Sequence, residues 1–266
     1  MIHTIQQDRT EKIICHGDSI IFGNRPEWSD ATWRPLKLSL IRERQFFDYD
    51  PHETLPVIIW ITGGAFTHSD ANVWAPELAW FAKRGFAVAS IDYSSAARMR
   101  FPMPMEDIKW GIRYLKAHAQ ELHLDPDRMV VMGESAGAYF AALTALTSGT
   151  DEFKFGEHKE FDSDVKAAIT LYTCAKEVHM EGDRIVMPDL TGYIRKGSLL
   201  PFLMFHGTED GIVSCEESRY LHDALTANGG KADLYLVEGA HHADCPFYQE
   251  KVKETIVEFI QSVLWR

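Results

Sequence analysis

The pentapeptide Gly133-Glu134-Ser135-Ala136-Gly137 sets a hydroxyl group between two glycines at a junction where chemistry can be done with it. The apolar run Met129-Val130-Val131-Met132 precedes it directly, and the Ala-rich segment Ala136 to Leu146 follows. In a strand–turn–helix context, G-x-S-x-G holds the serine in a strained backbone conformation and lifts its Oγ above a sheet. The glycines leave room where strand and helix backbones approach. A serine hydroxyl is a poor nucleophile at neutral pH, so it needs a general base, and the base needs a carboxylate to fix its tautomer. Both are expected C-terminal to Ser135, acid before histidine, each just past a strand end. After the run Phe202 to Phe205 comes His206-Gly207-Thr208-Glu209-Asp210-Gly211-Ile212-Val213; after Leu234 to Val237 comes Glu238-Gly239-Ala240-His241-His242-Ala243-Asp244. Asp210 is the candidate carboxylate and His242 the candidate base, with Glu209 and His241 as adjacent alternatives that residue type alone leaves open. Acyl transfer also needs backbone N–H donors for its tetrahedral oxyanion, one from the residue after the nucleophile and others from an earlier Gly-rich turn. Thr62-Gly63-Gly64-Ala65-Phe66, directly after the apolar run Val57 to Ile61, fits that place.

Positioning such groups requires a sheet whose strand ends share one edge. Short apolar runs supply the strands: Val57 to Ile61, Phe86 to Ile91, Met129 to Met132, Ala167 to Leu171, Phe202 to Phe205 and Leu234 to Val237. Each reads as a strand buried on both faces. Between them, Trp74 to Lys83, Glu106 to His123, Ala136 to Leu146, Glu216 to Asn228 and Pro246 to Trp265 carry helical periodicity. The alternation predicts an α/β fold, a mainly parallel sheet with helices on both faces. Leu36 to Tyr49 is a candidate antiparallel hairpin or pair at the sheet edge. The 266 residues are expected to form one domain, 1–266. From Cys174 to Ser198 the periodicity lapses around Gly182, Pro188, Gly192 and Gly197, and 174–198 is the candidate cap or lid insertion.

Composition narrows the function classes. The 27 basic and 39 acidic residues give a formal net charge of −12 with no basic run, which disfavours nucleic acid and anionic membranes as partners. The polar stretch from Met1 to Lys12 lacks the apolar core of a signal peptide, and no apolar run is long enough to span a bilayer, so a cytoplasmic location is expected. Four scattered cysteines and twelve histidines form no C-x-x-C or H-x-x-x-H pair. Neither a disulfide framework nor a metal or other cofactor is expected. Oligomeric state is not legible.

The motifs together resemble a known family. Pro56 to Phe66, Asp92-Tyr93, Phe101-Pro102 with Glu106-Asp107, Gly133 to Gly137, His206 to Val213 and Gly239 to His242 look like the α/β-hydrolase fold over about residues 55 to 262. Within it they are most similar to esterases and lipases such as hormone-sensitive-lipase-like carboxylesterases and bacterial feruloyl- or acetyl-esterase relatives. The resemblance implies Ser135 as nucleophile, Asp210 as acid and His242 as base, since G-A-x-H places the histidine fourth. It also implies oxyanion amides on Gly64, Ala65 and Ala136, and a structural role for Asp107. Two departures stand out. The usual H-G-G-G is Thr62-Gly63-Gly64-Ala65 here, and Ser94-Ser95-Ala96 replaces the family's usual residues after Tyr93.

The implied activity is hydrolysis of small carboxylic esters through an acyl-enzyme. An arylformamidase-like amidase or short-peptide hydrolase on the same three residues is the alternative, and a binding protein without turnover the third reading. Short acyl groups are expected because 174–198 interleaves Lys176, Glu177, Glu181, Asp183, Arg184, Asp189, Arg195 and Lys196 with few large apolar residues. Phe66, Trp74, Met99, Phe101, Met103 and Met105 are candidates for a substrate pocket or the core. Tyr172, His179, Met180, Met187 and Tyr193 are candidate lid contacts, and Cys215 and Cys245 are expected to be buried, inert thiols.

Overall fold

The computed structural model describes residues 1–6, 10–26, 32–44, 53–95, 100–180 and 185–265. Ten strands and five α-helices occur among them: β1 (Ile14–Pro26), β2 (Trp33–Glu43), β3 (Leu55–Ile61), α1 (Ala75–Ala82), β4 (Ala87–Ile91), α2 (Met103–Ala117), β5 (Leu124–Glu134), α3 (Ala136–Leu146), β6 (Ala168–Leu171), β7 (Val178–Met180), β8 (Ile185–Met187), β9 (Phe202–Gly207), α4 (Cys215–Ala227), β10 (Ala232–Val237) and α5 (Glu250–Leu264). Eight strands make one sheet in the order β1-β2-β4-β3-β5-β6-β9-β10. The six from β4 to β10 in that order pair in parallel, and β1 and β2 add an antiparallel edge. Of the candidate segment the structure shows β2, which pairs antiparallel with β1 at the edge and with β4 on its inner side; the expected end at Tyr49 lies outside the described residues.

Side chains alternate across this sheet with period two and build a core on each face. Val57, Ile59 and Ile61 of β3 join residues of α2, α3 and α4, whereas Ile58 and Trp60 join α1 and α5. The central strands are buried on both faces as expected. β10 is not: Tyr235 is exposed and the strand alternates, because it is the sheet's edge and is covered on one side. Sequence order departs from strand order at β3. From there α1 and β4 lie to one side and β5 to the other, so the crevice above β3 and β5 is the topological switch where ligands bind in open α/β sheets.

The candidate insertion contains the β7–β8 hairpin and a 3₁₀ turn at Leu190–Tyr193; residues 181–184 lie outside the described set. Ile185, Met187 and Leu190 are buried in the α3/α4 core. Tyr139 of α3 donates its hydroxyl to the Pro188 carbonyl, Tyr220 of α4 donates to Asp189, and Glu217 of α4 accepts the Ala175 and Lys176 amides. No helix among the described residues is long and apolar enough to cross a membrane.

Asp107, on the first turns of α2, is fully buried and ties three elements together. Its Oδ1 accepts Arg25 Nε of β1 at 2.6 Å, and its Oδ2 accepts the Ser94 amide at 2.8 Å and the Ser94 hydroxyl at 2.5 Å. Arg34 of β2 also donates to the Ser94 hydroxyl at 2.6 Å. Ser94 therefore serves to anchor the loop after β4. Replacing Asp107 with Ala leaves Arg25 only Glu106, at 2.7 Å, as a carboxylate partner and takes the acceptor from the Ser94 amide, and is expected to cost about 2–3 kcal/mol in urea unfolding. A loss under about 1 kcal/mol would show that the bond to Arg25 is idle.

Candidate active site

Ser135 sits between the end of β5 and the start of α3 with φ 53° and ψ −124°, a left-handed backbone that a non-glycine residue adopts only when its surroundings enforce it. The flanking glycines allow it. A Cβ on Gly133 would lie 2.4 Å from the Gly137 carbonyl oxygen, and one on Gly137 would lie 2.0 Å from that of Ile61. The Ser135 amide bonds Leu171 O at 2.9 Å, so the turn is pinned to β6 as well.

Its hydroxyl lies 2.9 Å from His242 Nε2, and His242 Nδ1 lies 2.7 Å from Asp210 Oδ2. With Nδ1–H donated to the carboxylate, Nε2 carries the lone pair that faces the serine. Asp210 has no exposed side-chain surface, and its Oδ1 accepts the Ile212 and Val213 amides at 2.9 Å each. Burial alone would raise this carboxyl; the Val213 amide, His242 and the Ile212 amide outweigh it and hold it below the ordinary carboxylate range. The acid is thus ionised at neutral pH.

The loops that carry these two residues are laced together. Gly239 N bonds the Thr208 hydroxyl at 2.8 Å and Glu209 N bonds Ala240 O at 3.1 Å. Gly207 is required there because a Cβ would lie 2.2 Å from Ala240 O. This lacing turns the neighbouring residues outward: His241 Nδ1 bonds Glu209 O at 2.8 Å, and both side chains are exposed. Of the alternatives the sequence left open, the structure brings His242 and Asp210 to Ser135 and leaves His241 and Glu209 at the surface.

The turn after β3 forms the opposite wall. Gly64, Ala65 and Phe66 all have positive φ, and Gly64 O accepts the Thr67 and His68 amides. Among the described residues the amides of Gly64, Ala65 and Ala136 donate to no acceptor, and Ala136 is the first residue of α3, where N–H groups and helix dipole favour an anion. A cavity of about 520 Å³ joins these parts; Gly64, Ala65, Trp74, Ser135, Ile212 and His242 are among its lining residues. Thr62, in the place of the usual histidine, accepts Trp60 Nε1 through its hydroxyl and the Tyr93 hydroxyl through its carbonyl, which braces the turn from below.

Several expected contacts lie elsewhere. Of the pocket candidates Trp74 lines the cavity, while Phe66 packs edge-on against Tyr139 and Phe140, Met105 is core, and Phe101 packs on Phe153. Met99 lies outside the described residues. None of the described residues of 174–198 lines the cavity, whose wall includes instead Thr67, His68, Ser69, Asp70, Val73 and Trp74. Tyr172 approaches the His242 ring edge-on at 4.8 Å. Cys245 is exposed and Cys215 half-buried, against the expectation of buried thiols, because Cys245 begins a surface 3₁₀ turn (Cys245–Tyr248) and Cys215 opens α4; burial pushes the Cys174 thiol up, to about 12.

Sequence reading missed two polar residues at the site. His206 is fully buried, with Nδ1 2.7 Å from the Ser218 hydroxyl, Nε2 2.9 Å from Val213 O and 3.3 Å from Asp210 Oδ2. Burial holds its pKa below the ordinary histidine value, so it is a neutral donor beside the acid. Glu134, buried next to the serine, bonds Gly63 N. Both stood inside quoted motifs, and their contacts with distant loops were the missing signal.

The BD-FAE family model matches residues 47–189, a little over half the chain. An isoprenylcysteine alpha-carbonyl methylesterase of Arabidopsis thaliana is 29% identical over 79% of this chain and 56% of its own length, and the esterase LipQ of Mycobacterium tuberculosis 28% over 74% and 52%. The chain thus spans about half the length of the curated relatives it matches. Among solved structures, a thermophilic esterase from Thermogutta terrifontis superposes with a TM-score of 0.75 at 25% identity, over 92% of this chain and 91% of that one. The chain belongs to the BD-FAE family and has the α/β-hydrolase fold.

Proposed function

We propose that the protein is a serine hydrolase of small carboxylic esters. The observation that carries this reading is the unbroken line Ser135 Oγ–His242–Asp210, at 2.9 and 2.7 Å, opening on a cavity with three unspent amides. The named esterase and carboxylic ester hydrolase relatives support it. Ser135 Oγ attacks the ester carbonyl carbon while its proton passes to His242 Nε2, and the imidazolium is held by ionised Asp210. The carbonyl oxygen, now an oxyanion, takes the Gly64, Ala65 and Ala136 N–H groups. On collapse the alcohol leaves with the proton from Nε2 and the acyl group stays on Ser135. Water then repeats the sequence, giving up its proton to His242 and releasing the acid and free serine.

The acyl group is short. The cavity wall includes Thr67, His68, Ser69 and Asp70, and among the described residues its larger apolar surfaces are Val73, Trp74 and Ile212, with no extended groove for an alkyl chain. On a p-nitrophenyl ester series, kcat/KM is expected to peak at acyl chains of roughly two to four carbons and to fall beyond. A steady rise to about twelve carbons, or a jump in rate when substrate forms an emulsion, would overturn the assignment.

A further inference from the structure

Glu134 immediately precedes Ser135, yet its side chain runs under the turn after β3. There its Oε1 accepts the Gly63 amide at 2.5 Å and Trp74 Nε1 at 3.2 Å. The side chain is buried. These donors come from two places: the turn after β3 and the start of α1. Trp74 in turn stacks on Tyr248 at 4.7 Å, and Tyr172 packs its ring edge against His242. A carboxylate suits the place because it is an acceptor only and can take several N–H and O–H groups with no hydrogen of its own to satisfy.

The approach to Gly63 is so close that no other residue fits. A Cβ there would lie 2.7 Å from both the Glu134 carbonyl oxygen and Oε1. On the far side of the turn, a Cβ at Gly64 would lie 2.5 Å from His68 O, and Gly64 O holds the Thr67 and His68 amides. The turn is therefore gripped at both ends. Gly63 N–H is spent on the carboxylate, and the next two amides, Gly64 and Ala65, are left as donors at the cavity.

We propose that Glu134 is a positioning residue, whose acceptor oxygen holds the Gly63 amide so that the Gly64 and Ala65 amides stay aimed at the oxyanion formed on Ser135. The proposal rests on the ester-hydrolase reading above. Glu134 reaches the cavity wall, but its Oε1 is bonded to Gly63 N and Trp74 Nε1 and not to Ser135 or His242. Its effect falls on the transition state, because amides displaced by even an ångström still admit the ground-state ester but solvate its oxyanion poorly. The carboxylate also places a negative charge next to Ser135, so reach and charge have to be separated.

Two variants separate them. Glu134→Gln keeps the oxygen in reach of Gly63 and Trp74 but removes the charge, whereas Glu134→Asp keeps the charge and withdraws the oxygen by one methylene. Each is assayed with a short aryl ester for kcat and KM, with a trifluoromethyl ketone of the same acyl group for Ki, and with a fluorophosphonate for labelling. Glu134→Asp is expected to lower kcat about 100-fold with KM within about threefold, and to raise the ketone Ki by the factor lost in kcat/KM, because that adduct also carries an oxyanion. Glu134→Gln is expected to stay within about tenfold of wild type in both. The reverse order would assign the effect to charge and overturn the proposal. Two variants equally active, two equally impaired, or a ketone Ki that does not follow kcat/KM would overturn it as well. Wild-type protein that neither cleaves the ester nor reacts with the fluorophosphonate would refute the ester-hydrolase reading itself.

Discussion

Ser135→Ala is expected to lower kcat by about 10⁴–10⁶ and to abolish covalent labelling by a fluorophosphonate, with the fold intact. The size follows from what the change removes. Without the oxygen there is no acyl-enzyme, and the remaining amides and cavity still hold and polarise an ester for direct attack by water, which leaves a residual rate. The fold is expected to survive because the serine side chain makes one hydrogen bond, to His242, while the turn is held by backbone: Ser135 N to Leu171 O, and Tyr139 N to Ser135 O. Alanine meets the same left-handed φ of 53° that serine does, so the strain is carried over unchanged. Thermal unfolding within a few degrees of wild type together with lost labelling is the expected pair of results. Stoichiometric labelling of the variant would place the nucleophile elsewhere.

The parts of the site that the sequence made legible are those with a local cause. A serine between close-packing glycines, after a continuous apolar strand and before an Ala-rich helix, announces its geometry within a dozen residues. So do the loops beginning at Gly207 and Gly239, because they follow strands whose apolar runs are unbroken. What stayed hidden has distant causes. β1 reads poorly because most of its residues are exposed, its burial depending on a pairing with β2. Glu134 meets Gly63 across 71 residues and Asp107 meets Arg25 across 82, and nothing near either acid announces the partner. The candidate cap or lid rests on broken periodicity and on a length beyond a typical connection. That pattern marks a change of architecture after β6, but it does not say which face the segment covers. The buried Ile185, Met187 and Leu190 seat it on α3 and α4.

The two adjacent histidines give the second large contrast. His242→Ala is expected to lower kcat by about 10⁴–10⁶, whereas His241→Ala stays within about threefold of wild type. Residue type does not separate the pair as bases; their partners and burial do, the His241 side chain being 66% exposed and that of His242 11%. His242 Nδ1 is held by an acid with no exposed surface and its Nε2 reaches the Ser135 hydroxyl, while His241 Nδ1 is bound to the Glu209 carbonyl on the outer side of the same loop. Groups that act as one unit are not additive, because once either serine or base is gone the covalent route is closed. The Ser135→Ala/His242→Ala double variant is therefore expected to retain about the same residual rate as either single variant. Losses that multiply would show that His242 assists a reaction in which Ser135 takes no part. Retained activity in His242→Ala, with activity lost in His241→Ala, would move the base by one residue and would require the Glu209–His241 lacing to invert.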